Sequence, residues 1–295
     1  MLDAIGISEE KLPPLIEPGT IVGTVTAEMA AATGLSPETC VNTGTLDHFA
    51  GMIGTGNTIP GGITLSTGTT MVLATMSDGK PDPGWDMALH YGFLPDTYVM
   101  LPVMESGGVC LDWFRRTCMG NIDYDTLNKD VSESPETGLL FLPYLVGTNA
   151  PEFDREATGV FFGLRQEHTA AQMAKAVMEG VCFVLRKNCE DILSKGTAVS
   201  GIVATGGGAK SPVWCQLQAD ITGLTVDVPA VTEAACLGVV MLAAWKAGRY
   251  ASLEQAAEGV KMVRTYSPNV KPEVEQKYQK FCKLYQAALA IAKDL

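Results

Sequence analysis

The order of apolar runs and turn residues predicts an α/β fold, in which a strand-rich stretch beginning at Ile63 gives way to alternating strands and helices. Three observations carry this reading. An apolar strand, Gly-Ile-Val-Ala at 201–204, passes through Thr205 and three consecutive glycines, Gly206, Gly207 and Gly208, into a helix with Ser211 suited to the N-cap and Pro212 to its first position. Two apolar runs, 63–65 and 71–74, flank the hydroxyl-rich turn Ser66-Thr67-Gly68-Thr69-Thr70 and read as a β-hairpin. After Thr169, a good N-cap, the residues Met173, Val177, Val181, Val184 and Ile192 recur at helical spacing until Gly196 stops the run.

The remaining elements follow in order. Residues 1–57 hold a helix at 26–33, ended by Gly34, and a strand near 40–44. A strand is expected at 98–103, then an amphipathic helix at 108–118 that carries Trp113 and Phe114, then strands at 139–142 and 160–162. Beyond the glycine turn the pattern gives a helix over 212–223, a strand over 225–228, a helix over 233–247 and a terminal helix from Pro272. The loop at 77–86, rich in Gly, Pro and Asp, is an exposed excursion, and Trp85, Trp214 and Trp245 read as core or groove residues.

Composition bounds the function. A chain of 295 residues with 46% apolar and 18% charged residues can bury a sizeable core and make one large or two smaller domains. A formal net charge of −12 without a basic run argues against nucleic acid and anionic membrane surfaces as partners. The N-terminus lacks the basic and apolar regions of a leader, and no apolar run approaches the ~20 residues of a membrane helix, so a cytoplasmic location is expected. Eight cysteines without a Cys-x-x-Cys read as buried free thiols, and the three histidines have no zinc-ligand spacing.

The glycine turn has two readings of equal weight. Without Cβ atoms, a backbone can approach a nucleotide whose phosphate or ribose meets the helix N-terminus; the same turn is also an ordinary joint of α/β proteins. Neither a P-loop nor a full Gly-x-Gly-x-x-Gly is present. The turn at 66–70 can hold phosphate oxygens on its amides and hydroxyls, or be a plain turn. Further upstream, Gly44-Thr45-Leu46-Asp47-His48-Phe49-Ala50-Gly51 sets one carboxylate between glycines, where Asp47 is either a functional acid or base or the cap of a helix starting near His48.

These stations, together with 138–147 followed by Pro151, Gly159 to Leu164, and Glu233-Ala-Ala-Cys-Leu-Gly238, resemble in their order the FGGY carbohydrate kinases. The glycine turn has the form of the xylulokinase-like members. The resemblance covers nearly the whole chain. It implies an actin-like, ribonuclease H-like ATPase domain at 62–295, the nucleotide-binding one, preceded at 1–61 by the tail of the sugar-binding N-terminal domain. About one domain's length of residues, with the Asp-x-Gly-Thr-type hairpin that helps hold magnesium, would lie ahead of Met1.

The resemblance further implies ATP with Mg2+ as cosubstrate and a sugar or polyol as acceptor. Asp47 would be the base, Thr67, Gly68, Thr69 and Thr70 would contact the ATP phosphates, and Gly207, Gly208 and Ala209 would line the adenosine side. Lys210 would approach phosphate or stand solvated. The Glu105 to Gly108 turn would wall the nucleotide pocket or simply start a helix. Two departures stand out: Gly147-Thr148-Asn149-Ala150-Pro151 lacks the charges usual there, and Leu46 replaces a smaller or polar residue. The alternatives are a non-catalytic or partner-dependent nucleotide-binding chain, and an actin-like ATPase without sugar chemistry.

Overall fold

In chain order the computed structural model, which describes residues 2–82 and 87–292, begins with helix α1 (Leu2–Ile5), strand β1 (Ile21–Thr24), helix α2 (Ala27–Thr33) and strand β2 (Cys40–Asn42). Thr26 caps α2 by accepting from the Met29 amide, and Gly34 closes it at φ 78°, a left-handed conformation natural to glycine. Helix α3 (Asp47–Gly54) leads to strands β3 (Gly62–Thr67), β4 (Met71–Ser77), β5 (Leu89–Tyr91), β6 (Tyr98–Met100) and β7 (Val103–Met104). Next come helices α4 (Gly108–Cys118) and α5 (Tyr124–Glu133), strands β8 (Leu140–Leu142) and β9 (Val160–Phe162), and helix α6 (Ala170–Ser194). The last third alternates as predicted: β10 (Gly201–Thr205), α7 (Pro212–Thr222), β11 (Val226–Pro229) and α8 (Ala234–Lys246), then α9 (Leu253–Ala257), β12 (Met262–Tyr266) and α10 (Pro272–Ala292).

The main sheet runs β12-β11-β10-β3-β4-β6-β5, with β7 also pairing β4. It is mixed: β3, β10 and β11 are parallel, and the other pairings are antiparallel. Strand alternation builds a core on each face. Ile63 and Leu65 of β3, with Met71 and Leu73 of β4, join the large core formed with α4, α6, α7 and α10; Val72, Ala74 and Met76 face a smaller one with Phe49, Met52 and Ile53 of α3 and Met241 and Leu242 of α8. Helix α6 starts with a full capping box between Thr169 and Gln172, the stop-start pattern that made it legible. It is buried so deeply that its charges are paired: Lys175 with Glu136 at 2.8 Å and Glu179 with Lys277 at 2.5 Å. Burial raises the Glu179 pKa above its ordinary value, against the pull of Lys277.

Helices α3 and α8 meet backbone to backbone. A Cβ on Gly54 would lie 1.8 Å from the Ala234 carbonyl oxygen, and one on Gly238 would lie 1.8 Å from that of Ala50. Only hydrogen side chains on both helices permit this crossing.

Several expectations are corrected. The strand predicted at 98–103 breaks into β6 and β7 at Leu101 and Pro102, because proline has no N–H to continue a ladder. The prediction of buried thiols holds for Cys110, Cys182, Cys189 and Cys215, whereas Cys40, Cys118 and Cys236 are free but exposed. Burial pushes the Cys110 and Cys189 thiols up to about 12 and Cys215 to about 11. An aromatic disulfide reagent is therefore expected to titrate Cys40, Cys118 and Cys236 rapidly in the native chain and the four buried thiols only after denaturation; fast reaction of all of them would contradict this packing. Trp85 lies outside the described residues, as does part of the 77–86 loop; Trp214 is buried and Trp245 packs against the smaller core.

Candidate nucleotide and acceptor site

The parallel strands β3, β10 and β11 end at Thr67, Thr205 and Pro229, and the carboxyl ends of parallel strands are where α/β sheets bind ligands. Two cavities open there. One, of about 460 Å3, lies on the α3 and α8 side and is lined by Asp47, His48, Gly51, Thr64, Ser66, Thr205, Lys210 and Glu233 among others. The other, of about 510 Å3, lies on the α4, α5 and α7 side and is lined by Thr67, Gly68, Thr69, Gly108, Asp112, Tyr124, Asn128, Gly208, Ser211 and Trp214 among others. Gly207 and Lys210 line both.

Asp47 is the first residue of α3, after Leu46 at the N-cap position. Its carboxylate is exposed and accepts from the His48 amide at 2.8 Å, so it sits at the positive end of the helix without serving as the N-cap. Gly51, one turn on, has no atom within 4 Å of where a Cβ would stand, which leaves the cavity side of α3 open.

The hairpin turn is held from behind. The carbonyls of Gly68 and Thr69 accept from the amides of Gly107, Gly108 and Val109 at the start of α4, at 2.8–3.2 Å. Thr67 is buried, and among the described residues its hydroxyl has no hydrogen-bond partner, a state that calls for a water, ion or ligand beside it. Thr70, predicted beside Thr67 to Thr69, lines neither cavity. Its carbonyl accepts from Gly68 and its backbone lies under Gly107, where a Cβ would come within 2.6 Å of it.

The glycine turn is a close approach, but its first partner is protein. Gly206 has φ 77°, and a Cβ there would meet the Thr67 carbonyl oxygen at 2.8 Å; a Cβ on Gly208 would meet Thr67 Cβ at 2.7 Å. Gly207 has an ordinary right-handed φ of −62° and is the member left exposed to both cavities. So Gly206 and Gly208 each border one cavity while packing the β10 turn onto the β3 turn, and Gly207 borders both. A 3-10 turn at Gly208–Lys210 separates them from α7. Ser211 caps α7 as predicted, accepting from the Trp214 amide at 3.2 Å. Ala209, expected beside Gly207 and Gly208, lines only the 460 Å3 cavity of the two. Lys210 is exposed, and its ammonium has no partner among the described residues.

Gly108 of the predicted pocket wall does line the 510 Å3 cavity, whereas Glu105 lines a separate one with Thr148, Asn149 and Arg155. The sequence reading missed α5 altogether, although it supplies Tyr124, Asp125 and Asn128 to the larger cavity. Its signal was present in Asp123, which caps the helix from 2.8 Å, and in the i, i+4 pair Leu127 and Val131. On the same wall a hydrogen bond from Arg115 lowers the Asp112 pKa, and burial raises that of Tyr124.

A mixed sheet with helices on both faces, whose parallel strands bring a hydroxyl-rich hairpin turn and a triglycine turn to one end, has the actin-like, ribonuclease H-like fold. Residues 63–247 match the C-terminal domain of the FGGY family of carbohydrate kinases, and residues 1–54 match its N-terminal domain. The chain belongs to that family. It is 33% identical to the xylulose kinase of Bacillus subtilis (strain 168), over 99% of this chain and 59% of the relative. The crystal structures of xylulose kinase from Rhodospirillum rubrum (26% identity, TM-score 0.89, 99% of this chain and 60% of that one) and of gluconate kinase from Lactobacillus acidophilus (28% identity, TM-score 0.88, 99% and 60%) share its fold. The chain thus spans about three-fifths of the length of these relatives. Among the described residues no helix is long and apolar enough to cross a membrane.

Proposed function

We propose that this chain carries the ATP-binding domain and the catalytic base of a kinase that phosphorylates a hydroxyl of a sugar or polyol, with residues 1–61 as the tail of the acceptor-binding domain and 62–295 as the nucleotide-binding domain. The observation that carries the reading is the common edge on which Asp47, the Thr67 to Thr69 turn and Gly207 border two cavities that share Gly207 and Lys210 in their walls. Nucleotide in one cavity and acceptor in the other place phosphate beside those two residues. The relatives are named for a ketopentose and a sugar acid, and the acceptor is of that polyhydroxylated class.

In this reading Asp47 takes the proton of the attacking hydroxyl as its oxygen bonds to the γ-phosphorus, and ADP leaves with the electrons of the broken P–O bond. Thr67, Gly68 and Thr69 hold phosphate oxygens, with the unpartnered Thr67 hydroxyl as a donor ready for one of them. Thr70 supports the turn through its packing on Gly107. Gly207 and Gly208 border the nucleotide, Ala209 stands behind them on the acceptor side, and the Lys210 ammonium, which borders both cavities, offsets phosphate charge. Among the described residues there is no cluster of three or more His, Cys, Asp or Glu suited to a metal. Mg2+ binds with few carboxylates and several waters beside phosphate, so it would enter with the nucleotide and would offset phosphate charge there.

Calorimetric ATP titration tests the nucleotide half. Thr67→Val keeps the shape and removes the hydroxyl, and is expected to weaken ATP by about tenfold, the loss of one hydrogen bond to a charged group, with the melting temperature unchanged. Unaltered ATP affinity would remove Thr67 from the site. A second reading, that nucleotide binds but turnover needs a separate acceptor-binding domain, is favoured by the exposed apolar side chains Ile21, Val22, Met29, Val41 and Leu46 ahead of α3.

A further inference from the structure

Helix α5 brings to the 510 Å3 cavity an amide side chain whose oxygen is engaged by a buried serine. Ser211 Oγ accepts from the Trp214 amide at 3.2 Å, and the Ser211 hydroxyl donates its own proton to Asn128 Oδ1 at 2.6 Å. Ser211 is buried and stands at the N-cap of α7, so it is fixed by the helix it caps. With Oδ1 accepting that short bond, the NH2 group of Asn128 faces away from Ser211. Among the described residues the Asn128 Nδ2 makes no hydrogen bond, although Asn128 is half-buried and borders the cavity.

The cavity has a direction. The Thr67 to Thr69 turn forms one part of its wall, and Tyr124, Asn128, Ser211 and Trp214 form another. Its volume of about 510 Å3 is in the range of small-molecule sites. A nucleoside triphosphate anchored by its phosphates at the turn therefore has its nucleoside left for the α5 and α7 wall. Adenine offers ring-nitrogen acceptors and needs a donor from the protein.

We infer that Asn128, held by Ser211, is the residue that reads the nucleoside: its Nδ2 donates to an acceptor of the purine, and Ser211 is a positioning residue that acts through it. This rests on the assignment of the 510 Å3 cavity to ATP. It makes the three glycines responsible for the joint and for phosphate access, and α5 responsible for recognition of the base.

The test compares ATP with inorganic tripolyphosphate, which has the phosphates and no nucleoside, by calorimetry on the chain as it stands. The wild type is expected to prefer ATP by tenfold or more. In Asn128→Ala the preference falls by about tenfold, one hydrogen bond's worth, with tripolyphosphate affinity unchanged. Asn128→Asp, which keeps the shape and an acceptor for Ser211 but puts an acceptor where the donor was, falls at least as far; it serves if the alanine variant folds poorly. Ser211→Ala gives an intermediate loss, because the amide is still present but no longer held. A wholly structural role would lower both affinities together. Equal affinities in the wild type, or an unchanged ratio in the Asn128 variants, overturns the inference while leaving nucleotide binding intact. Failure of the wild type to bind either ligand overturns the ATP assignment and the inference with it.

Discussion

Asp47→Asn is expected to lower acceptor-dependent ADP formation by about 10²–10⁴-fold, the range of a lost general base, with ATP affinity unchanged. The geometry explains why the two effects separate. Asp47 borders the cavity on the α3 side, and the hairpin turn, α5 and α7 build the other one. Asparagine keeps the volume and can still accept from the His48 amide, the one hydrogen bond the Asp47 carboxylate makes among the described residues. What it removes is the negative oxygen that takes a proton. A loss of turnover accompanied by an equal loss of ATP affinity would show a binding role instead, and undiminished turnover would exclude Asp47 as base.

The second large effect is on stability. Gly238→Ala puts a Cβ at 1.8 Å from the Ala50 carbonyl oxygen, and Gly54→Ala does the same against Ala234. No rotamer relieves a collision with backbone, so α3 and α8 must separate, opening the smaller core at Met52, Ile53, Met241 and Leu242, all of which are buried. Overpacking of this kind costs about 3 kcal/mol or more, and at this size the melting temperature should fall by on the order of 10 °C. Gly51→Ala on the same helix is the control. Nothing lies within 4 Å of its Cβ position, and alanine in a helix should hold or raise stability by up to about 1 kcal/mol. Equal melting temperatures for all three variants would mean that the crossing is looser than described.

The contrast between these glycines shows what a sequence reveals of such a site. The hairpin turn and the Ser211-Pro212 helix start were legible because their determinants are contiguous: a capping hydroxyl, a proline at the first helical position and hydroxyls between two apolar runs. The need for a close approach at Gly206 to Gly208 was legible too. Its first partner, Thr67, lies some 140 residues away in the chain, and no local pattern names it. Thr70 was grouped with its neighbours because adjacency in a turn says nothing of which side packs under Gly107. Helix α5 escaped notice because it is short and polar, with only Leu127 and Val131 buried. Strands β1 and β12 escaped for a related reason, since their residues are largely exposed and show no clear alternation of buried and exposed positions. The order of motifs carried the family assignment where each motif singly was ambiguous.

The central claim is that this chain supplies the nucleotide domain and the base of an acceptor-dependent phosphotransferase. Its most direct test measures ADP release from MgATP with and without xylulose and gluconate, using the chain alone and the chain joined to the part of the Bacillus subtilis xylulose kinase that it does not span. The account predicts that ADP forms in the joined protein only when an acceptor is present, in equal amount with a phosphate ester, and that Asp47→Asn lowers it by about 10²–10⁴-fold. ATP hydrolysis at the same rate without acceptor, undiminished by Asp47→Asn, would contradict it.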